Sequence, residues 1–253
     1  MKKILFMLML SLTVGITARA QYISNGKIEF ERKTNLRMSL NYEMTDEQKS
    51  SDWFKLMIEK LPQHLISYFT LDFDQDHSIY WFVKDAETSG MPSMFGGKGP
   101  ARENIVKTNF KENNFVAEKK IYETNFLVTD SSRKLKWKIE DEIRVIAGYP
   151  CRKAVTTICD SVVIVAFYTD QIIVSGGPES ISGLPGMILG MAIPRLYTTW
   201  FATKVDLVEF EEPVLKESKK GKKVTYAELE NELSKSLKDW GNYGITTIWW
   251  AML

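Results

Sequence analysis

Apolar and polar residues alternate with period two in several stretches, and each such stretch predicts a strand. The pattern runs through Gly26 to Arg32 (GKIEFER), Ile66 to Phe73, Ser78 to Val83, Lys134 to Ile139 and Thr199 to Val208, all rich in β-branched or aromatic side chains. In Lys134 to Ile139 (KLKWKI), Leu135, Trp137 and Ile139 share one face and three lysines the other, as in a sheet wet on one side. Val162 to Tyr168 is apolar on both faces and predicts a central, doubly covered strand. Helical spacing appears twice. Thr45 and Gln48 form a capping box ahead of Phe54, Met57, Ile58 and Leu61, and Pro62 stops the run. Thr225 and Glu228 form a second box ahead of a stripe of Tyr226, Leu229, Leu233, Leu237 and Trp240, which Gly241 ends. Ile245 to Leu253, with Trp249 and Trp250, reads as a terminal strand. The expected fold is mainly β: a single domain with a strongly curved antiparallel sheet or open barrel and about two helices packed on it.

The N-terminus changes the picture of compartment. Lys2 and Lys3 precede an apolar run from Ile4 to Gly15, and Ala18-Arg19-Ala20 offers a small-x-small cleavage site, so residues 1–20 read as a secretory signal peptide. The expected product is one β-rich domain over 21–253, exported to the periplasm, the cell surface or beyond. The whole chain holds 33 basic and 32 acidic residues, and losing Lys2, Lys3 and Arg19 leaves a net charge of −2. Nothing in that balance favours a polyanion, so nucleic acid is set aside as a partner. No later stretch supplies the roughly 18 consecutive apolar residues of a membrane-spanning helix. Neither an internal repeat nor a linker divides the chain, and nothing in it fixes an oligomeric state.

Candidate chemistry is sparse. Only His64 and His77 could act as imidazole bases, no serine stands in a G-x-S-x-G elbow, and neither histidine has a partner at zincin spacing. Asp72 to His77 opens with the rhythm of a calcium loop, but His77 stands where the sharp turn needs Gly and Val83 where a bidentate Glu is needed. The segment is better read as a hairpin tip. Cys151 and Cys159 bracket one strand, which would hold their α-carbons about 26 Å apart, well beyond the roughly 7 Å a disulfide tolerates. Two free thiols are expected. Met91 and Met94, and Met187 and Met191, could imitate Cu(I) thioether ligands, but Ile188 and Leu189 make the second pair look like core. The Gly- and Pro-rich Ser89 to Arg102 is not a phosphate loop, since its Lys98 precedes Gly99-Pro100. With Met91, Met94 and Phe95 it reads as a candidate contact loop. No catalytic residue, cofactor or metal ligand is assigned from these residues.

One segment carries a resemblance. Gly177-Pro178-Glu179-Ser180-Ile181-Ser182-Gly183-Leu184-Pro185-Gly186-Met187-Ile188-Leu189 closely resembles the signature of the GLPGLI family of exported Bacteroidota proteins, with Met187 in place of the second Leu. Gly26-Lys27-Ile28, Trp137-Lys138-Ile139, Gly148-Tyr149-Pro150-Cys151-Arg152-Lys153-Ala154 and Phe167-Tyr168-Thr169 resemble further blocks of that family. The resemblance implies no known catalytic residues. It also implies similarity to the bowl-like, non-catalytic N-terminal domain of some bacterial peptide-N-glycosidases. Members are often encoded near TonB-dependent outer-membrane receptors, so such a receptor, or a peptide or lipid-like ligand, is the implied partner. The expected function is that of a non-catalytic binding or accessory module at the cell envelope. The alternatives are a hydrolase of peptides or glycans, resting on carboxylates such as Asp141-Glu142 and Asp72 to Asp76, and a copper-handling periplasmic protein. The signature itself (Gly183, Leu184, Pro185, Gly186, Met187, Ile188) reads as a type II turn pinned to the core.

Overall fold

A computed structural model describes residues 22–87, 100–211 and 221–253. The expected signal peptide, the candidate contact-loop residues Met91, Met94 and Phe95, and most of the Lys216–Lys223 connection lie outside these residues.

In chain order the elements are β1 (Gly26–Asn35), α1 (Leu36–Glu43), α2 (Asp46–Ser50), α3 (Asp52–Lys60), β2 (His64–Phe73), β3 (His77–Asp85), β4 (Ile105–Asn109), β5 (Asn114–Ile121), β6 (Thr124–Ser131), β7 (Lys138–Ile146), β8 (Tyr149–Ile158), β9 (Val162–Thr169), β10 (Met187–Ile193), β11 (Thr198–Asp206), β12 (Lys222–Val224), α4 (Tyr226–Ser236) and α5 (Gly241–Ala251). The strands form one sheet ordered β12-β6-β5-β4-β3-β2-β1-β11-β10-β9-β8-β7. Every pairing is antiparallel except β12 on β6. The sheet is open, with β12 and β7 as its edges. Register shifts at Glu29/Phe30, Tyr68/Phe69, Ile188/Gly190 and Ile139/Ile143 bend it, because an extra residue on one strand kinks and twists the ladder.

The alternation read from GKIEFER holds residue by residue. Ile28, Phe30, Arg32 and Thr34 are buried, while Lys27, Glu29, Glu31 and Lys33 point outward. The inward face is covered by α4 and α5, so that Trp200 of β11 meets Trp250 of α5 at 5.8 Å between ring centroids. Both capping boxes are present. The Thr45/Gln48 box, however, caps only the five-residue α2, and the apolar run beyond it is a separate helix, α3, capped by Ser51.

The mainly β fold with an open antiparallel sheet is as expected, with five α-helices among the described residues where about two were expected on it. Three further expectations need correction. The C-terminal segment is helix rather than strand, since Thr246, Trp249, Trp250 and Leu253 fall at i, i+3, i+4 and i+7 and are all buried. Residues 134–137 pair with no strand. Trp137 instead donates its indole N–H to Ser182 O at 3.0 Å, and the edge strand begins at Lys138, leaving Ile139, Ile143 and Val145 exposed among charged neighbours that guard the edge. Finally, β9 is not covered on both faces throughout, because Val163 remains exposed.

The hairpin reading of Asp72 to His77 stands: Asp74 Oδ1 accepts from the backbone N–H groups of Asp76 and His77 at 2.7 and 2.5 Å. Cys151 lies within β8, Cys159 just beyond its end, and both are free. Burial pushes the two thiols up, to about 12 and about 11. Since the thiolate is the nucleophile, iodoacetamide at pH 8 should leave the native protein unmodified for hours and alkylate both cysteines once urea unfolds it, as counted by intact mass.

Candidate functional site

The inward face of the sheet is mostly filled by the protein's own side chains, but one end of it is hollow. There α1, residues 100–104, the end of β5 with the turn at Tyr122, and α5 surround an open cavity of about 1170 Å³, at the upper end of ordinary ligand sites. Leu36, Leu40, Leu65 and Trp250 supply apolar wall. The sheet builds the polar part. In β5 the alternation that buries Phe115 and Ala117 also turns Lys119 inward, and the residue is 2% exposed. Asn104 ahead of β4 and Thr246 in α5 are equally buried. Lys119 Nζ, Thr246 Oγ1 and Arg102 Nε have no hydrogen-bond partner among the described residues, although all three atoms are buried. Arg102 is otherwise held, paired with Asp85 at 2.9 Å and lying 4.4 Å over the Phe82 ring.

Behind this wall lies a second polar layer. Arg32, inward on β1, is sandwiched between Phe69 at 4.6 Å and Trp250 at 5.3 Å. Burial lowers its pKa, and the nearby Tyr80, Glu179 and Asp85 oppose that shift. Tyr80 accepts from the Trp200 indole at 3.2 Å, and burial carries its hydroxyl well above the usual range. Glu179 accepts from the Asn104 amide at 3.0 Å through one carboxylate oxygen. At the mouth of the cavity stand Tyr122, Trp240 and Tyr243. Trp240 stacks on Tyr243 with centroids 6.0 Å apart and planes 11° from parallel, and Tyr122 exchanges a hydrogen bond of 3.0 Å with Thr247. Glu43, at the end of α1, also lines the space. Its carboxylate accepts from Ser39 Oγ at 3.0 Å, and burial pushes its pKa up to about 7.

None of Gly183, Leu184, Pro185, Gly186, Met187 or Ile188 lines the cavity. Leu184, Met187 and Ile188 are core residues. The expected type II turn is a tighter one: the Gly186 N–H donates to Leu184 O at 2.8 Å, closing a γ-turn about Pro185. Just upstream, the same segment anchors the C-terminal elements. Ser180 N donates to Leu253 O at 2.9 Å, and Ser180 Oγ donates to the same carbonyl and lies 2.7 Å from the Tyr226 hydroxyl.

The carboxylates considered for hydrolysis lie apart from the cavity, and Asp72, Asp74 and Glu142 have structural partners. Asp72 pairs with Lys27 at 3.5 Å, and Glu142 bridges Lys153 at 3.0 Å and Arg144 at 2.7 Å, which holds it below the usual carboxylate range. His64 and His77 lie outside the cavity wall as well. No cluster of three His, Cys, Asp or Glu able to hold a metal occurs among the described residues. No helix of the described residues is long and apolar enough to cross a membrane.

Arg32 and Lys119, the two inward cations, were not singled out from the sequence. The signal was present: in GKIEFER and FVAEKKI each cation falls on the parity of the buried apolar residues.

A bent, open, mainly antiparallel sheet with helices in its hollow and a side cavity defines a mainly β, cavity-bearing module. Residues 97–228, just over half of the chain, match the family described as N-glycanase peptide, N-terminal domain, and the chain belongs to that family. Among solved structures it is similar to PNGF-II in two crystal forms. One matches with 17% identity and a TM-score of 0.50 over 84% of this chain, the other with 18% identity and a TM-score of 0.48 over 86%. The first of these shows a shared fold. The chain spans about a third of the length of PNGF-II, 34% and 32% in the two forms. No curated protein matches the sequence.

Proposed function

We propose that this chain is an exported, non-catalytic ligand-binding module of the cell envelope, a member of the GLPGLI group within its family. In this reading it serves an outer-membrane receptor of the TonB-dependent kind or a partner enzyme. The observation that carries the reading is the cavity, a large hollow with apolar walls and buried unpartnered polar atoms in an otherwise filled interior. The signal-peptide pattern of residues 1–20 and the resemblance of Gly183 to Ile188 to the family signature support export and membership. Kinship to an N-terminal domain that makes up a fraction of longer N-glycanases supports an accessory role.

Thermal melting of the purified chain against a panel of peptides, glycans and amphiphiles tests the reading. At a ligand concentration of about 100 Kd, mass action adds about 2.7 kcal/mol, or about 5–10 °C in Tm for a domain of this size. The shift should vanish in Thr246→Phe, which fills the cavity floor. A panel that moves Tm nowhere, or an equal shift in the filled variant, would remove the cavity from the account.

A further inference from the structure

We infer that the cavity takes an amphiphile with an oxyanion head, a carboxylate or phosphate on an apolar body, with Lys119 as the main contact for the head. The inference rests on the cavity being the binding site and goes on to name the chemistry of its occupant.

Three features of the wall point the same way. First, three residues of the wall each carry a buried donor atom without a partner among the described residues: Lys119 Nζ, Arg102 Nε and Thr246 Oγ1. A buried ammonium without an acceptor is costly, and the cost is relieved when a negatively charged oxygen group enters. The carboxylate behind the wall does not serve Lys119: Glu179 accepts from Asn104 through Oε2, its Oε1 is buried without a partner among the described residues, and the two side chains form no ion pair. The Lys119 ammonium has for company the Tyr226 ring at 5.7 Å, a contact that tolerates the charge without supplying an acceptor. Second, the wall beside these donors is Leu36, Leu40, Leu65 and the Trp250 ring, a surface suited to a hydrocarbon body. Third, the mouth is a poor sugar platform. Trp240 and Tyr243 spend ring face on each other, and Tyr122 packs at 5.4 Å from Trp240 with its hydroxyl engaged by Thr247. An amphiphile entering head first would place its charge on Lys119 and its body between α1 and α5.

The test compares sodium dodecanoate, dodecyl phosphate and dodecanol, all below their micellar concentrations, by titrating the tryptophan fluorescence of the full chain. Dodecanoate or dodecyl phosphate should bind at least 10-fold more tightly than dodecanol, and the tighter of the two identifies the head group. In Lys119→Met the preference should fall below threefold while the dodecanol Kd stays within twofold, since an apolar residue of similar length replaces a buried unpaired cation without leaving a cavity. The wild-type comparison needs no variant and remains decisive if Lys119→Met does not fold. Equal binding of acid and alcohol would overturn the oxyanion assignment and leave the cavity as a binding site. Binding of glucuronate in preference to all three would overturn the amphiphile in favour of a sugar acid. Silence from all four would overturn this inference, and the wider panel would then decide whether the cavity binds anything.

Discussion

Replacing Gly186 by Ala should destabilise the protein by more than about 3 kcal/mol, read as a fall in the urea midpoint at unchanged slope. A β-carbon on Gly186 would lie 2.1 Å from Thr169 O, 2.8 Å from Thr169 C and 3.0 Å from the Asp170 α-carbon, and the residue has φ +148°. All three neighbours are backbone at the end of β9, the strand that pairs with Met187 immediately afterwards. No rotamer can relieve such a contact, so the β9–β10 ladder must part or the γ-turn must open. Gly148→Ala is the control. That glycine has φ +87° but nothing within 4 Å of its would-be β-carbon, so its cost should stay near the ~1–2 kcal/mol of a left-handed backbone alone. Equal losses at the two sites would mean that conformation, not close approach, requires Gly186.

Glu43→Gln should stabilise the protein by about 2 kcal/mol at pH 8 and have almost no effect at pH 4. Burial raises the folded carboxyl from 4.5 to about 7, and the hydrogen bond from Ser39 only partly offsets that rise. Because the folded pKa lies above the unfolded one, the unfolded chain gives up its proton first as pH rises. The contribution of Glu43 to stability is therefore most favourable below pH 4.5, declines between 4.5 and about 7, and stays reduced above. A rise of that size corresponds to about 3 kcal/mol at ~1.4 kcal/mol per pH unit, and partial contact with the cavity solvent brings it to about 2. Glutamine keeps an oxygen for Ser39 and carries no charge at any pH. Melting curves of both proteins from pH 4 to 8 should therefore coincide at the acid end and separate towards neutrality. Parallel curves would show that Glu43 ionises as readily folded as unfolded.

The sheet was largely legible in the sequence because its strands bury one face and wet the other. GKIEFER carries that alternation cleanly, and ISYFTLDF and SIYWFV are strands too, although Phe69 to Phe73 and Ser78 to Tyr80 are buried on both faces. The same rule misplaced KLKWKI, whose alternation is genuine but whose Trp137 is recruited to the Ser182 carbonyl. A hydrogen bond to a loop 45 residues away leaves no local mark. The C-terminal segment failed differently. Its aromatic and β-branched content spoke for a strand, while Thr246, Trp249, Trp250 and Leu253 already held helical spacing. Packing settled the matter, with Gly244 letting α5 approach the end of α4, where a β-carbon would meet Leu237 O at 2.6 Å. The cavity could not be foreseen, because its wall is drawn from α1, the 100–104 segment, β5 and α5, elements that meet only after the sheet has bent. The two inward cations of the sheet, Lys119 in the wall and Arg32 behind it, could have been noticed as charges on the buried parity. The signature, the most recognisable stretch in the sequence, contributes no residue to the cavity lining.

The position of β1 in the sheet bears on how this chain acquires its shape. The first strand made is a central one, flanked on one side by β2 and on the other by β11, with Lys27 opposite Asp206. One flank can form early, from a short excursion through α1 to α3. The other waits until nearly the whole chain has emerged, and until then the hydrogen-bonding edge of β1 is bare. Closing so long a loop is entropically slow, and an unpaired strand edge invites pairing with other chains. The waiting strand carries an outward row of Lys27, Glu29, Glu31 and Lys33, and charges on an unpaired strand discourage pairing with other chains.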